Sequence, residues 1–179
     1  MKIGIFVGSF NPIHVGHIHL VNELIDKKYL DKVFIIPTMP YWSKLKFVDL
    51  KHRINMIKFF QNSKIIVDDK NNHLSYTYEI MDLYKKKYPN DEIKLIIGAD
   101  NLENLYKWKN VSRILEYGVI VVGRDNIDIN KYDYKNIEFA KDIKPCNVSS
   151  TEIRNGKKLR EKYLDSRVLK YIKDNNLYV

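Results

Sequence analysis

Near the start of the chain, the ten residues Gly8-Ser9-Phe10-Asn11-Pro12-Ile13-His14-Val15-Gly16-His17 directly follow the apolar run Ile3–Val7. The apolar run has the length and the branched side chains of a strand that is buried on both faces, as in a parallel sheet. In the ten residues, the first glycine allows close approach to the backbone, the small serine keeps the turn open, and Asn-Pro is a turn pair. The residues from Gly16 onward open a helix, whose free N–H groups favour a phosphate. The stretch therefore predicts a phosphate-binding turn at the carboxyl end of the first strand.

Outward from this unit, apolar runs of strand length alternate with longer amphipathic segments, which is the pattern of βαβ units. Further strands are expected at Val33–Ile36, Ile65–Val67, Leu95–Ile97 and Val119–Val122, with one more short strand near Ile137–Phe139 in the polar stretch Arg124–Pro145. Helices are expected at His17–Lys28, Leu50–Phe60, Tyr76–Lys87, brokenly over Asn101–Glu116, and at Asp165–Asn175 with Asp165 as N-cap. The sequence predicts one α/β domain over residues 1–179, a doubly wound Rossmann-like parallel sheet with flanking helices.

Two histidines of the turn suggest what it does. His14 and His17 are three residues apart, so one helical turn presents both imidazoles on the same side. Near neutral pH they can donate hydrogen bonds, or charge, to phosphate oxygens. A metal site formed with His19 is the alternative, but no acidic or cysteine ligand is nearby in the sequence. The G-x-G-x-x-G spacing of a dinucleotide fingerprint is absent, and phosphate binding explains the glycine, the helix start and the histidine pair together.

The charge balance allows a second class of function. The chain has 179 residues and a formal net charge of +9, but only six of its 31 basic residues are arginines. Proteins that read bases favour arginine, so this lysine-rich composition indicates a solvated surface more than a nucleic-acid partner. The single cysteine, Cys146, excludes an internal disulfide, and no apolar run approaches the ~20 residues of a membrane span. We therefore expect a cytoplasmic protein with no membrane contact and no nucleic-acid partner.

A second motif lies near the C-terminus, at Val148-Ser149-Ser150-Thr151-Glu152-Ile153-Arg154. Hydroxyls and N–H groups at a helix start bind phosphate, and an arginine in the next turn adds a bidentate fork; an ordinary N-cap with a surface arginine is the alternative. The first motif resembles the signature of the nucleotidyltransferase superfamily with the HxGH motif, and the second resembles that superfamily's I-S-S-T-x-I-R. The two resemblances together favour the phosphate-binding interpretation.

Three further segments narrow the resemblance to the nicotinate-nucleotide adenylyltransferases. These segments are Ser75-Tyr76-Thr77 before a helix, Ile96-Ile97-Gly98-Ala99-Asp100-Asn101-Leu102 followed by Lys107-Trp108, and the closing helix and tail Tyr171–Tyr178. The resemblance covers essentially the whole chain, from Lys2 to Tyr178. It implies adenylyl transfer from ATP to nicotinate mononucleotide, which yields nicotinic acid adenine dinucleotide and pyrophosphate in NAD biosynthesis.

The resemblance also implies roles for individual residues. The catalytic residues would be His14, His17, Lys44 and Arg154. ATP would be bound by Gly8, Ser9, Phe10, Gly16, Gly98, Asp100, Ser150 and Thr151. Nicotinate mononucleotide would be bound by Ser9, Thr77, Trp108 and Lys109. A Mg²⁺ ion would bind mainly through the ATP phosphates, without a dedicated protein metal site.

The residues themselves support two of these roles and leave alternatives open. Trp108 can stack on a flat pyridine ring, although a buried core tryptophan is the other interpretation. Asp100 follows the fourth predicted strand, where an acidic residue can bind a ribose diol or cap a helix. The chain departs from the family pattern at Asn11, in place of an aspartate, and at Val7, in place of a common glycine. It also has the altered loop Tyr41-Trp42-Ser43-Lys44, in which Lys44 keeps the basic group. Adenylyl transfer to nicotinamide mononucleotide or phosphopantetheine, and nucleic-acid binding without catalysis, remain the competing functions.

Overall fold

The computed structural model describes residues 1–39, 47–123 and 135–179. In these residues the chain forms a six-stranded sheet in which every neighbouring pair is parallel, in the order β3-β2-β1-β4-β5-β6. The strands are β1 (Lys2–Gly8), β2 (Lys32–Pro37), β3 (Ile65–Val67), β4 (Glu92–Gly98), β5 (Val119–Val122) and β6 (Ile137–Phe139). This confirms the predicted doubly wound α/β fold and all six predicted strands.

Helices connect the strands and cover both faces of the sheet. They are α1 (Val15–Asp26), α2 (Leu50–Lys58), α3 (Thr77–Lys87), α4 (Ala99–Leu102), α5 (Val111–Tyr117), α6 (Ser150–Asn155), α7 (Lys157–Tyr163) and α8 (Ser166–Asp174), with a 3-10 turn at Leu105–Lys107. The break expected within Asn101–Glu116 is present, and Asn110 there has a left-handed backbone (φ +59°) that separates the 3-10 turn from α5. Asp165 caps α8 as predicted, since its carboxylate accepts the Arg167 N–H.

The sequence pattern did not indicate α7. No residue of Lys157–Tyr163 is fully buried, so this helix lacks the apolar face by which a helix is recognised in sequence. Among residues 1–39, 47–123 and 135–179, no helix is both long and apolar enough to cross a membrane.

Two apolar cores lie on opposite faces of the sheet. One is built on Phe6, Leu24 and Ile57 with the buried side chains of α8, and the other on Ile5, Met81 and Ile114. β1 and β4, which lie side by side at the centre, are the strands whose carboxyl ends face the site. The chain runs from β1 outward to β3 and then returns to β4 on the other side of β1. This reversal of strand order opens a crevice above β1 and β4, where ligands bind in folds of this kind.

Candidate active site

A cleft of about 360 Å³ lies at that crevice, between the turn after β1, the start of α4 and the segment before α6. Its lining includes most of the residues predicted to bind ATP and both motif histidines, namely Gly8, Ser9, Phe10, His14, Gly16, His17, Gly98, Asp100 and Ser150. At Gly98, an added Cβ would meet no atom within 4 Å, so the space beside it is open to a ligand. The fold thus brings two distant sequence motifs to one cavity.

The two histidines are stacked at the start of α1. Their ring centroids are 3.7 Å apart, with 29° between the planes. His14 is buried at the N-cap of α1, whereas His17 is partly exposed. The His14 backbone N–H donates to Nδ1 of His17 at 3.3 Å. In a neutral imidazole only one nitrogen carries the proton, so this bond assigns the proton of His17 to Nε2, which is then a hydrogen-bond donor.

Burial determines the charge of both rings. It lowers the pKa of His14 to about 4, and burial together with the neighbouring His14 lowers the pKa of His17 well below its usual range. Both rings are therefore neutral near pH 7, so a hydrogen bond from either ring to an anion would add no positive charge. Nδ1 of His14 has no hydrogen-bond partner within the described parts of the chain. A buried polar atom without a partner needs an explanation, and a water molecule or ligand in the cleft would supply the missing hydrogen bond.

Two neighbours fix the position of the histidines. A Cβ at Gly16 would lie 3.0 Å from Nδ1 of His14 and 3.1 Å from Cβ of Cys146, so a larger residue would have to displace one of these neighbours by a few tenths of an ångström. Phe10 has a left-handed backbone (φ +43°), and its buried ring meets the His17 ring edge-on, with centroids 5.2 Å apart. The Phe10 side chain thus supports His17 from beneath, while the residue as a whole remains part of the cleft wall.

The second motif forms α6 and docks on the first. Ser149 caps the helix, with its hydroxyl accepting the Glu152 N–H at 3.2 Å. Ser150 donates its hydroxyl proton to the Pro12 carbonyl at 2.9 Å. Arg154 donates to the Asn11 carbonyl at 2.6 Å and to the Thr151 hydroxyl at 3.1 Å. Thr151 and Arg154 lie beside the cleft, outside its lining, so their predicted contacts with ATP stay a prediction.

The residues predicted to bind nicotinate mononucleotide lie apart from this cleft, except for Ser9. Thr77 is the first residue of α3, and Trp108 ends the 3-10 turn, half-buried against the core that α3 also covers. The Lys109 ammonium is 4.2 Å from the centre of the Tyr76 ring, which joins this segment to the start of α3. Lys44 and the rest of the altered loop fall outside the described residues, so the role predicted for Lys44 stays a prediction.

Sequence reasoning missed one residue, Arg53 on α2. It is fully buried, and its guanidinium donates to the carbonyls of Ser9 at 2.6 Å, Thr38 at 2.9 Å and Val48 at 2.9 Å. These three carbonyls belong to the turn after β1, the turn after β2 and the segment before α2. The signal was present in the sequence, because an arginine three and four residues before Met56 and Ile57 occupies the apolar face of a helix.

The donor set also bears on metal binding. Within residues 1–39, 47–123 and 135–179, no group of three or more histidine, cysteine or acidic side chains could hold a metal ion. Besides the histidine pair and Asp100, the cleft is lined by three serines, Asn101, Cys146 and residues that are apolar or glycine. This arrangement fits a metal ion that arrives bound to the phosphates of its ligand.

A glycine turn, a helix start and two fixed histidines at the switch point of a parallel sheet define a nucleotide-binding α/β protein. The chain belongs to the cytidylyltransferase-like family, whose model matches residues 5–156. Within it, the chain is 33% identical over 187 residues to the "Nicotinate-nucleotide adenylyltransferase" of Bacillus subtilis, covering 99% of this chain and 98% of the relative.

Two further comparisons agree. A Borrelia garinii subsp. bavariensis protein named "Probable nicotinate-nucleotide adenylyltransferase" is 40% identical over 190 residues, covering 100% of this chain and 95% of the relative. The structure of Plasmodium falciparum nicotinic acid mononucleotide adenylyltransferase complexed with NaAD superposes with a TM-score of 0.81 at 21% identity, covering 99% of this chain and 97% of that one. The sequence relatives support the predicted family, and the structural likeness supports the fold.

Proposed function

We propose that this protein transfers the adenylyl group of ATP to nicotinate mononucleotide, forming nicotinic acid adenine dinucleotide and pyrophosphate. The observation that carries the proposal is the fixed, neutral pair His14 and His17 at the cleft above β1 and β4. Relatives at 40% and 33% identity over nearly their full length bear the name of this activity. We place the reaction in the cytoplasm, in a single nucleotidyltransferase domain, with two small phosphorylated substrates and no nucleic acid.

The reaction itself asks little covalent chemistry of the protein. A phosphate oxygen of the mononucleotide attacks the α-phosphorus of ATP, a new P–O bond forms, and the bond to the leaving pyrophosphate breaks. Because the attacking phosphate is already anionic, no base has to remove a proton. The remaining tasks are to align two polyanions and to stabilise the charge that develops on the transferred group.

The described residues suit those tasks. Nε2–H of His17 donates to the phosphates, and the backbone of Gly8–Phe10 lies along the same cleft. We assign the task of steadying the β- and γ-phosphates to Ser150, Thr151 and Arg154, and also to Lys44, which lies outside the described residues. Asp100 is in the first turn of α4 and in the cleft lining. We assign to it the hydrogen bonds with the ribose hydroxyls.

We assign the pyridine ring of nicotinate mononucleotide to Trp108 and Thr77, which lie apart from the cleft that binds ATP. An indole face offers stacking to a flat ring, and backbone N–H groups after Trp108, with Lys109, face the carboxylate. Nucleotidyltransferases of this class generally use a divalent metal ion. We propose Mg²⁺, carried on the ATP phosphates, where it neutralises phosphate charge.

The choice of acceptor tests this function. Purified protein is incubated with ATP and, in parallel, nicotinate mononucleotide, nicotinamide mononucleotide or 4′-phosphopantetheine, and pyrophosphate release is followed. We expect the highest kcat/KM with nicotinate mononucleotide. Faster turnover of either competing acceptor would replace the proposed substrate, and no pyrophosphate release with any acceptor would contradict the proposed activity.

A further inference from the structure

The C-terminal tail of the chain turns back toward the active site after α8. Asn176 and Tyr178 have left-handed backbones (φ +49° and +59°), which reverse the chain direction. The Leu177 N–H donates to the Ile172 carbonyl at 3.0 Å, and the Tyr178 carbonyl accepts from the Arg160 guanidinium at 2.7 Å. These two hydrogen bonds attach the tail to both α8 and α7, and they fix the position of the Tyr178 side chain.

The Tyr178 side chain contacts the turn after β1, 167 residues earlier in the chain. The Tyr178 hydroxyl donates to Oδ1 of Asn11 at 2.8 Å, and the Val48 N–H reaches the same oxygen at 3.4 Å. The Asn11 carbonyl accepts from Arg154 at 2.6 Å. Asn11 is buried, so three segments far apart in sequence converge on this one residue of the first motif.

The surroundings keep the tyrosine a donor. Burial raises the pKa of Tyr178, although the positive charges of Arg53, Arg154 and Arg160 oppose this shift. The phenol is therefore protonated at neutral pH, and the proton of its hydroxyl points to the Asn11 side chain. The contact is therefore a directional hydrogen bond and not packing alone, because the Asn11 oxygen accepts a proton that only a donor can supply.

From this geometry we infer that Tyr178 is a positioning residue for the proposed adenylyl transfer: through Asn11, its hydroxyl holds the turn that carries His14 and His17. Asn11 lies three residues before His14, and the next residue, Pro12, is fastened to Ser150 of the second motif. A small displacement of this turn moves the histidines relative to the phosphates. Misplacement of catalytic groups by even 1 Å costs up to about 100-fold in rate, and the loss of one neutral hydrogen bond corresponds to about a tenfold effect.

The test compares two tyrosines that each lose only a hydroxyl. Tyr178→Phe removes the bond to Asn11, whereas Tyr171→Phe removes two 2.9 Å bonds from α8 to His52 and Asn55, neither of which lines the cleft. We expect kcat to fall about tenfold in Tyr178→Phe, with little change in KM for nicotinate mononucleotide, and to stay at the wild-type value in Tyr171→Phe. The thermal unfolding midpoint of each variant is measured as well. If the Tyr178 hydroxyl had a purely structural role, both variants would unfold at a lower temperature and kcat of Tyr178→Phe would be unchanged. An unchanged kcat in Tyr178→Phe, or an equal fall in both variants, would overturn the inference.

A double-mutant cycle identifies the residue through which the hydroxyl acts. In an Asn11→Ala background, Tyr178→Phe is expected to cause no further loss of kcat, because its acceptor is already gone. Losses that simply multiply would show that the hydroxyl acts elsewhere, and would also overturn the inference. The inference rests on the proposed function, and the two fail separately. Wild-type turnover of nicotinate mononucleotide tests the function alone, and an unaffected Tyr178→Phe beside an active wild type contradicts the positioning role alone.

Discussion

At the scale of single residues, His14 and His17 have different duties although they share one helical turn. His14 is buried, its backbone N–H donates to His17, and its ring lies beside Gly16. His17 lines the cleft, and the same bond assigns its ring proton to Nε2, which is then a donor. We therefore expect His17 to stabilise the charge on the phosphates, and His14 mainly to set its tautomer and position.

Replacing His17 tests this assignment. His17→Ala removes a preorganised donor, and the loss of such a donor lowers kcat by ~100-fold or more. The measurement is pyrophosphate release from ATP and nicotinate mononucleotide. The control is His19→Ala on the same helix, an exposed ring in hydrogen-bond contact with the Lys144 carbonyl, which we expect to leave kcat within about twofold of wild type. A near-wild-type rate in His17→Ala would remove this histidine from the mechanism.

At the scale of secondary-structure elements, the site is a set of turns that are fastened to one another. The turn after β1 is joined to α6 through Ser150 and Arg154, and to α2 through Arg53. In each of these contacts the acceptor is a backbone carbonyl. The bonds therefore fix the backbone conformation of the turn and not the rotamer of one of its side chains. The rigidity of the cleft wall at Ser9 therefore depends on a side chain from a helix that contributes nothing to the cleft lining.

The element-scale prediction concerns Arg53. Arg53→Met fills similar space but leaves the carbonyls of Ser9, Thr38 and Val48 without their donor, which we expect to lower the free energy of unfolding by about 3 kcal/mol or more. Because the Ser9 turn loosens, KM for ATP is expected to rise as well. Urea unfolding and steady-state kinetics measure the two effects. Arg113→Met is the matched control, since this exposed arginine is ion-paired with Asp82 and Glu116 and should cost less than about 1 kcal/mol. An equal decrease in the free energy of unfolding in the two variants would show that the buried Arg53 hydrogen bonds stabilise the fold no more than an exposed ion pair does.

The limits of sequence reasoning also follow from these elements. The first motif could be predicted because strand, turn and helix are local and each has its own residue pattern. The docking of Ser150 on Pro12 could be anticipated only through the resemblance, since nothing in the spacing joins residues 138 positions apart. The Tyr178 contact with Asn11 and the burial of Arg53 depend on tertiary packing, which a single sequence does not specify. The short helix α7 was missed because it has no apolar face.

At the scale of the whole molecule, the net charge of +9 does not identify the ligand. Arg53, Arg160 and Arg154 donate to backbone carbonyls, and the exposed Arg113 and Arg167 are paired with carboxylates. Each arginine in the described parts of the chain thus makes at least one bond within the fold, and together they do not form a strip for a nucleic acid. The positive surface is mostly lysine, which raises the local concentration of anionic substrates without selecting among them.

The stability of the whole molecule should depend on pH through the same histidines that form the site. Burial lowers the pKa of His14 from 6.5 to about 4, so the unfolded chain takes up a proton in a range where the folded chain does not. The contribution of neutral, buried His14 to the free energy of unfolding is therefore fully present above pH 6.5. It is lost as the pH falls from 6.5 toward 4, because protonation then favours the unfolded chain. His14 alone then lowers the free energy of unfolding by about 2 kcal/mol between pH 7.5 and pH 5, and His17 acts in the same direction.

Urea unfolding at pH 7.5 and pH 5 measures this loss, and His14→Gln identifies its source. A glutamine keeps a polar side chain of similar size without a titrating group, so the variant should lose about 2 kcal/mol less than wild type over the same interval. If His14→Gln and wild type lose the same stability between the two pH values, His14 is not held neutral by burial, and its ring would be a charged partner for phosphate instead.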